Sequence, residues 1–85
     1  MGKISVKIID EENGLRLYEE VNAVRIKSEK YSLLIMDDYS PIIGQLDGSI
    51  SILTGKDEIT ISDIKAFYRH QHNKFTLLIE RGVVQ

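Results

Sequence analysis

The sequence predicts an all-β fold, a small antiparallel β-sandwich of about eight to nine short strands. Three observations carry that expectation. Apolar and polar residues alternate with the period of a half-buried strand, turn-forming clusters recur every ~8 to 12 residues, and almost no stretch sustains the three-and-four spacing of a helix. The 85 residues are enough for one hydrophobic core, and 42% hydrophobic with 28% charged residues is globular composition. Residues 1–80 are expected to form a single domain, with 81–85 as a tail.

The first strand, Ile4 to Ile9, alternates Ile4, Val6 and Ile8 with Ser5 and Lys7. The polar run Asp10 to Gly14 then closes a turn, its carboxylates read as solvated and its Asn13-Gly14 pair as tolerant of positive φ. A short strand over Leu15 to Tyr18 sets Leu15 and Leu17 against Arg16 and Tyr18, before Glu19 and Glu20 interrupt it. Val21 to Lys27 follows, with Val24 and Ile26 on one face and Arg25 and Lys27 on the other, and Ser28 to Lys30 turns again.

The stretch Tyr31 to Leu53 reads as the centre of the domain, because it holds the only proline and two apolar runs between turn signals. Leu33 to Met36 is continuously apolar, the mark of a strand covered on both sides. Asp37 and Asp38 end it, and Pro41, lacking an amide donor, starts an edge strand or an extended connection. Ile42, Ile43 and Leu46 re-enter the core; Asp47-Gly48 predicts a hairpin, from which Ser49 to Leu53 departs.

After a turn at Thr54 to Asp57, Glu58 to Ser62 alternates Ile59 and Ile61 with polar residues. Ile64 to His70 fits a strand by its own alternation, while Ser62 and Asp63 would cap the alternative, a short helix. A turn at Gln71 to Lys74 leads into the last strand, Phe75 to Glu80, with Phe75, Leu77 and Ile79 on one face.

The totals exclude several function classes. A net charge of −2 offers no excess with which to neutralise a phosphate backbone, which argues against nucleic acid. With no cysteine there are no disulfides, thiolate metal sites or cysteine nucleophiles. No apolar run approaches the ~18 residues of a spanning helix, and the first residues lack a signal-peptide apolar region, so no membrane insertion and a cytoplasmic location are expected.

Chemistry-bearing patterns are sparse. His70 and His72 stand two apart, so on a strand both imidazoles would face one side and share a metal ion, with a remote carboxylate as third ligand. The plainer reading is a polar hairpin end. Asp37 and Asp38 are adjacent and face opposite ways on an extended chain, unlike the paired carboxylates of acid-base catalysis. There is no nucleophile elbow, phosphate-cradling glycine loop or Ser-His-Asp order, so neither an enzyme nor a cofactor is expected.

The order of elements resembles the N-terminal β-sandwich of the epsilon subunit of rotary ATP synthases, over roughly Ile4 to Glu80. Glu20 to Val24 is similar to that family's Glu-Val-x-x-Val. Tyr31 to Ile43 aligns without a gap on its Gly-Glu-Phe-Gly-Val-Leu-Pro-Gly-His-Ala-Pro-Leu-Leu, matching Leu33, Ile35, Met36, Pro41, Ile42 and Ile43. Leu46, Gly48, Ile50 and Ile52 look like the strand that follows, and His72 to Glu80 like the closing strand. The family's Pro-Gly-His is replaced by Asp37, Asp38 and Tyr39 and its Glu by Ser32, and no counterpart of its C-terminal helical hairpin is expected. The resemblance implies a non-catalytic domain docking onto a protein partner, the rotor stalk where the family role is kept. The residues expected to make that contact are Tyr31, Asp38, Tyr39 and Ser40. An exposed edge strand would also allow two copies to pair as a homodimer.

Overall fold

The computed structural model describes residues 3–12 and 14–80. They are all-β: β1 Ile4–Asp10, β2 Gly14–Val21, β3 Ala23–Ser28, β4 Ser32–Met36, β5 Ile42–Leu53, β6 Glu58–Gln71 and β7 Lys74–Ile79. One seven-stranded sheet runs β2-β1-β7-β6-β5-β3-β4, antiparallel throughout except where β1 lies parallel to β7. Residues 81–85, read from sequence as a tail, and Asn13 of the first turn lie outside the described residues.

The strands number seven because two expected breaks are bends within long strands. The Asp47-Gly48 pair makes no hairpin; it lies inside β5, paired with Lys65 and Ile64 of β6. Gly48 is needed there for close approach, since a Cβ would overlap the Lys27 carbonyl oxygen of β3. Asp47 is tied to the β3–β4 turn instead: its amide donates to Ser28 Oγ at 3.1 Å, and its carbonyl accepts from the Glu29 amide at 3.1 Å.

The two segments flanking Asp63 likewise form one strand. The register steps from Gly48↔Ile64 to Ile50↔Ile61, so β6 carries one extra residue, and Asp63 absorbs it at φ 57°. That bulge switches the inward parity from Ile59 and Ile61 to Ile64, Ala66, Tyr68 and His70. A matching irregularity lies opposite Ile4 to Val6 of β1, where Glu20 of β2 sits at φ 57°.

Only one face of the sheet is buried, yet its residues form a single cluster from all seven strands, so the sheet folds over along β5 and β6 and leaves β2 and β4 as open edges. β2, β1, β7 and the adjoining halves of β6 and β5 make one layer; β4, β3 and the other halves make the second. The smallest extent, 21 Å, is that of two sheets packed ~10 Å apart with their side chains. Ile4, Val6, Ile8, Phe75 and Leu77 from the first layer meet Val24, Ile26, Ile35, Ile50 and Ile52 from the second.

Two further expectations change. The apolar run Leu33 to Met36 is an edge strand, with Ile35 fully buried and Leu34 and Met36 exposed, rather than a strand covered on both sides. Asp10 is not solvated: it is buried and pairs with Arg16 across the β1–β2 hairpin at 3.7 Å.

Candidate docking surface

The residues singled out from the sequence flank β4, Tyr31 before it and Asp38 to Ser40 after it, and a row of rings joins the two places. Tyr31, in the β3–β4 turn, reaches across the layers: its hydroxyl donates to the Gln45 carbonyl and lies 3.0 Å from the Tyr68 hydroxyl. Burial and that second hydroxyl hold Tyr68 well above the usual phenol range, so it remains a neutral hydrogen-bonding group. Its ring covers Gly44, its cross-strand partner, in space a Cβ would otherwise fill.

From Tyr68 a row of rings continues inward. Tyr68 stacks on Phe75 at 5.8 Å, Phe75 lies 6.3 Å from His70, and His70 meets the edge of Tyr39 at 6.2 Å. Tyr39 belongs to the β4–β5 connection and is half-buried against the core, its amide donating to the Met36 carbonyl at 3.2 Å. Asp38, at φ 63°, is exposed, and its amide donates to Asn73 Oδ1 at 2.7 Å. Ser40 beside it is also exposed.

The two histidines part company. His70 points into the core and is fully buried, with neither ring nitrogen hydrogen-bonded, and burial lowers its proton affinity below the ordinary value. His72 is exposed in the two-residue turn between β6 and β7, where it and Asn73 adopt φ of 53° and 59°, the left-handed pair of a tight hairpin. Among the described residues no group of three or more His, Cys, Asp or Glu is arranged to hold a metal ion.

A larger feature lies on the outer face of the first layer. The register aligns Leu15 of β2, Ile9 of β1, Leu78 of β7 and Phe67 of β6 in one row across four strands. All four are exposed, from 40% to 59%. The next row reads Leu17, Lys7, Thr76, Arg69 and Ile43, with Ile43 at 76% exposure. Ile43, Phe67, Arg69, Thr76 and Leu78 border a shallow depression there. The outer face of the second layer is built differently: Ser49, Ser51, Thr60 and Ser62 with Arg25 and Lys27 fill its middle, the exposed Leu34 and Met36 lie at its β4 edge, and the Ser51 and Thr60 hydroxyls meet at 3.1 Å.

Sequence reasoning passes over this row. Each member is an ordinary alternating residue on its own strand, and only the pairing of distant strands brings the four together. The available signal was the pattern around Leu15 and Leu17, where the apolar residues turn outward while Arg16 and Tyr18 turn in.

No protein-family model matches the sequence, and no curated protein matches it. Among solved structures, the chain superposes on a chain of the Tetrahymena thermophila mitochondrial ATP synthase, in a structure of the central stalk and c-ring, with a TM-score of 0.70 at 14% identity. The match covers 92% of this chain and 63% of that one, so this chain spans less than two thirds of its neighbour's length. At that identity the likeness is one of fold.

Proposed function

We propose that this chain is a non-catalytic protein-interaction domain of the epsilon-like kind, docking through the outer face of its first layer onto a protein partner. The observation that carries this is the apolar row Leu15–Ile9–Leu78–Phe67, continuous across four strands, whereas the exposed apolar residues of the other layer, Leu34 and Met36, are confined to the edge strand β4. A contiguous exposed apolar patch on one side of a small domain marks an interaction site more often than a solvated surface. The resemblance over Tyr31 to Ile43 and the fold shared with an ATP synthase central-stalk structure support a rotor stalk as the partner. Asp38 and Ser40, exposed beside the β6–β7 turn, are proposed as a second contact, with Tyr39 packed against the core beneath them and Tyr31 anchoring the β3–β4 turn on Gln45 and Tyr68.

The test is affinity capture by the tagged full chain from its native cells, read by mass spectrometry beside the Phe67→Glu variant. Phe67 is exposed, so the variant is expected to keep its melting temperature while losing the captured partner. Recovery of stalk subunits by the unmodified chain alone supports the rotor reading. Equal recovery of every protein by both chains overturns the assignment of this face.

A further inference from the structure

We propose that the element seated on this face is an amphipathic α-helix of a partner protein, lying across the strands with carboxylates along one flank. The inference rests on the docking reading above and specifies its occupant.

An element laid on the face of a sheet, rather than along its edge, finds no backbone partners there and must satisfy its own amides and carbonyls. A helix does so internally; a lone strand does not. A second sheet would need a broad apolar face, whereas here the continuous apolar surface is one row wide, bordered by Lys7, Thr76 and Arg69. The spacings agree as well. Neighbouring strands lie ~4.8 Å apart and a helical turn rises ~5.4 Å, so successive turns can set one apolar side chain near each member of the row. Four strands span about 14 Å, the length of roughly three helical turns.

Charge sets the flank. Lys7 and Arg69 stand two strands apart in the row beside the apolar one, a separation of ~9.6 Å that matches the ~10.5 Å rise between helix positions i and i+7. Neither cation forms an ion pair among the described residues. One row further Lys74 stands beside Ser5, whose hydroxyl donates to Glu19, so the net positive charge of this flank rests on Lys7 and Arg69, while the opposite flank mixes Lys65 with Asp47 and Glu80. Acidic residues at i and i+7 of the partner would therefore meet Lys7 and Arg69 while its apolar stripe covers the row. A second copy of this chain would bring the same cations to the same rim, which disfavours self-association.

The experiment uses the full chain and two synthetic helical peptides of about 14 residues, roughly four turns. They share one leucine stripe, and their flank carries Glu in one and Lys in the other. The Glu peptide is expected to bind at least about tenfold more tightly at low salt, to lose that advantage as salt rises, and to shift the amide resonances of Ile9, Phe67 and Leu78. A Lys7→Glu, Arg69→Glu chain is expected to reverse the preference.

Equal binding of both peptides to this face overturns the charged flank and leaves the docking reading standing. Failure of both peptides, with Phe67→Glu still abolishing capture of the native partner, overturns the helix alone. Binding of phosphatidylserine vesicles in place of either peptide, or a dimer that Phe67→Glu dissociates, overturns both readings.

Discussion

His70 places an unpartnered imidazole inside an apolar core, and the sign of its pH effect follows from burial. Its proton affinity in the folded state falls below the ordinary 6.5, so as pH drops the unfolded chain takes up the proton first. The His70 contribution is therefore level above pH 6.5, declines below it, and levels again only beneath the folded-state value. The slope approaches at most about 1.4 kcal/mol per pH unit. Denaturant midpoints measured on both sides of that region, for the wild type and for His70→Phe, check this. An undiminished acid loss in the variant would assign the sensitivity to another group.

Glu20 and Asp63 occupy left-handed backbone at the two bulges, a conformation that costs a residue with a Cβ. Asp tolerates it better than Glu, whose longer side chain has less local hydrogen bonding to offer. Glu20→Gly is therefore expected to stabilise the fold by up to about 1 kcal/mol and Asp63→Gly by less. Thermal unfolding of the two variants side by side measures the difference, and a loss of stability in Glu20→Gly would mean that its side chain holds the bulge.

Among the elements, the long strands β5 and β6 set the architecture, and their glycines do separate jobs. Gly48→Ala drives a Cβ into backbone at Lys27, which cannot swing away, and is expected to cost about 3 kcal/mol or more. Gly44→Ala meets the ring of Tyr68, which can tilt, and is expected to cost less while disturbing the Tyr31–Tyr68 hydroxyl contact. Urea unfolding of the pair tests this ranking, and comparable losses would place the two glycines under the same constraint.

These strands also mark how far the fold is legible in the chain. The inward residues of β1 and β7 follow from alternation, because each strand has one wet face and one dry face. Asp47-Gly48 misleads because glycine serves both positive-φ turns and close backbone approach, and only the position of Lys27, twenty-one residues earlier, says which. The parity change at Asp63 divides one strand into two apparent ones, since an extra residue reverses which side chains face inward. Tyr31 and Tyr39 are legible as a pair of useful side chains but not as the ends of an aromatic row, because that row joins β6, β7 and two connections through tertiary contacts.

For the whole molecule, the sandwich has an apolar row across the outside of one layer and, on the other, a hydroxyl-rich middle with Leu34 and Met36 at its edge, so its two broad sides offer a partner different surfaces. Leu78→Glu, like Phe67→Glu, lies on the apolar side and should alter binding with little effect on stability. Thr60→Glu on the other layer should alter neither binding nor melting temperature. Parallel capture and thermal-melt measurements on these variants check both statements, and a partner lost with Thr60→Glu would move the interface to the second layer.

The one parallel pairing in the sheet governs how the protein is made. Ser5 lies beside Lys74 and Asp10 beside Ile79, so an interior strand pairs with a segment about seventy residues later in the chain. Closing that span places the domain among proteins of high contact order, with folding times of milliseconds to seconds rather than microseconds. On the ribosome, β1 has β2 beside it early, but its other edge and the facing edge of β6 stay open until β7 emerges between them.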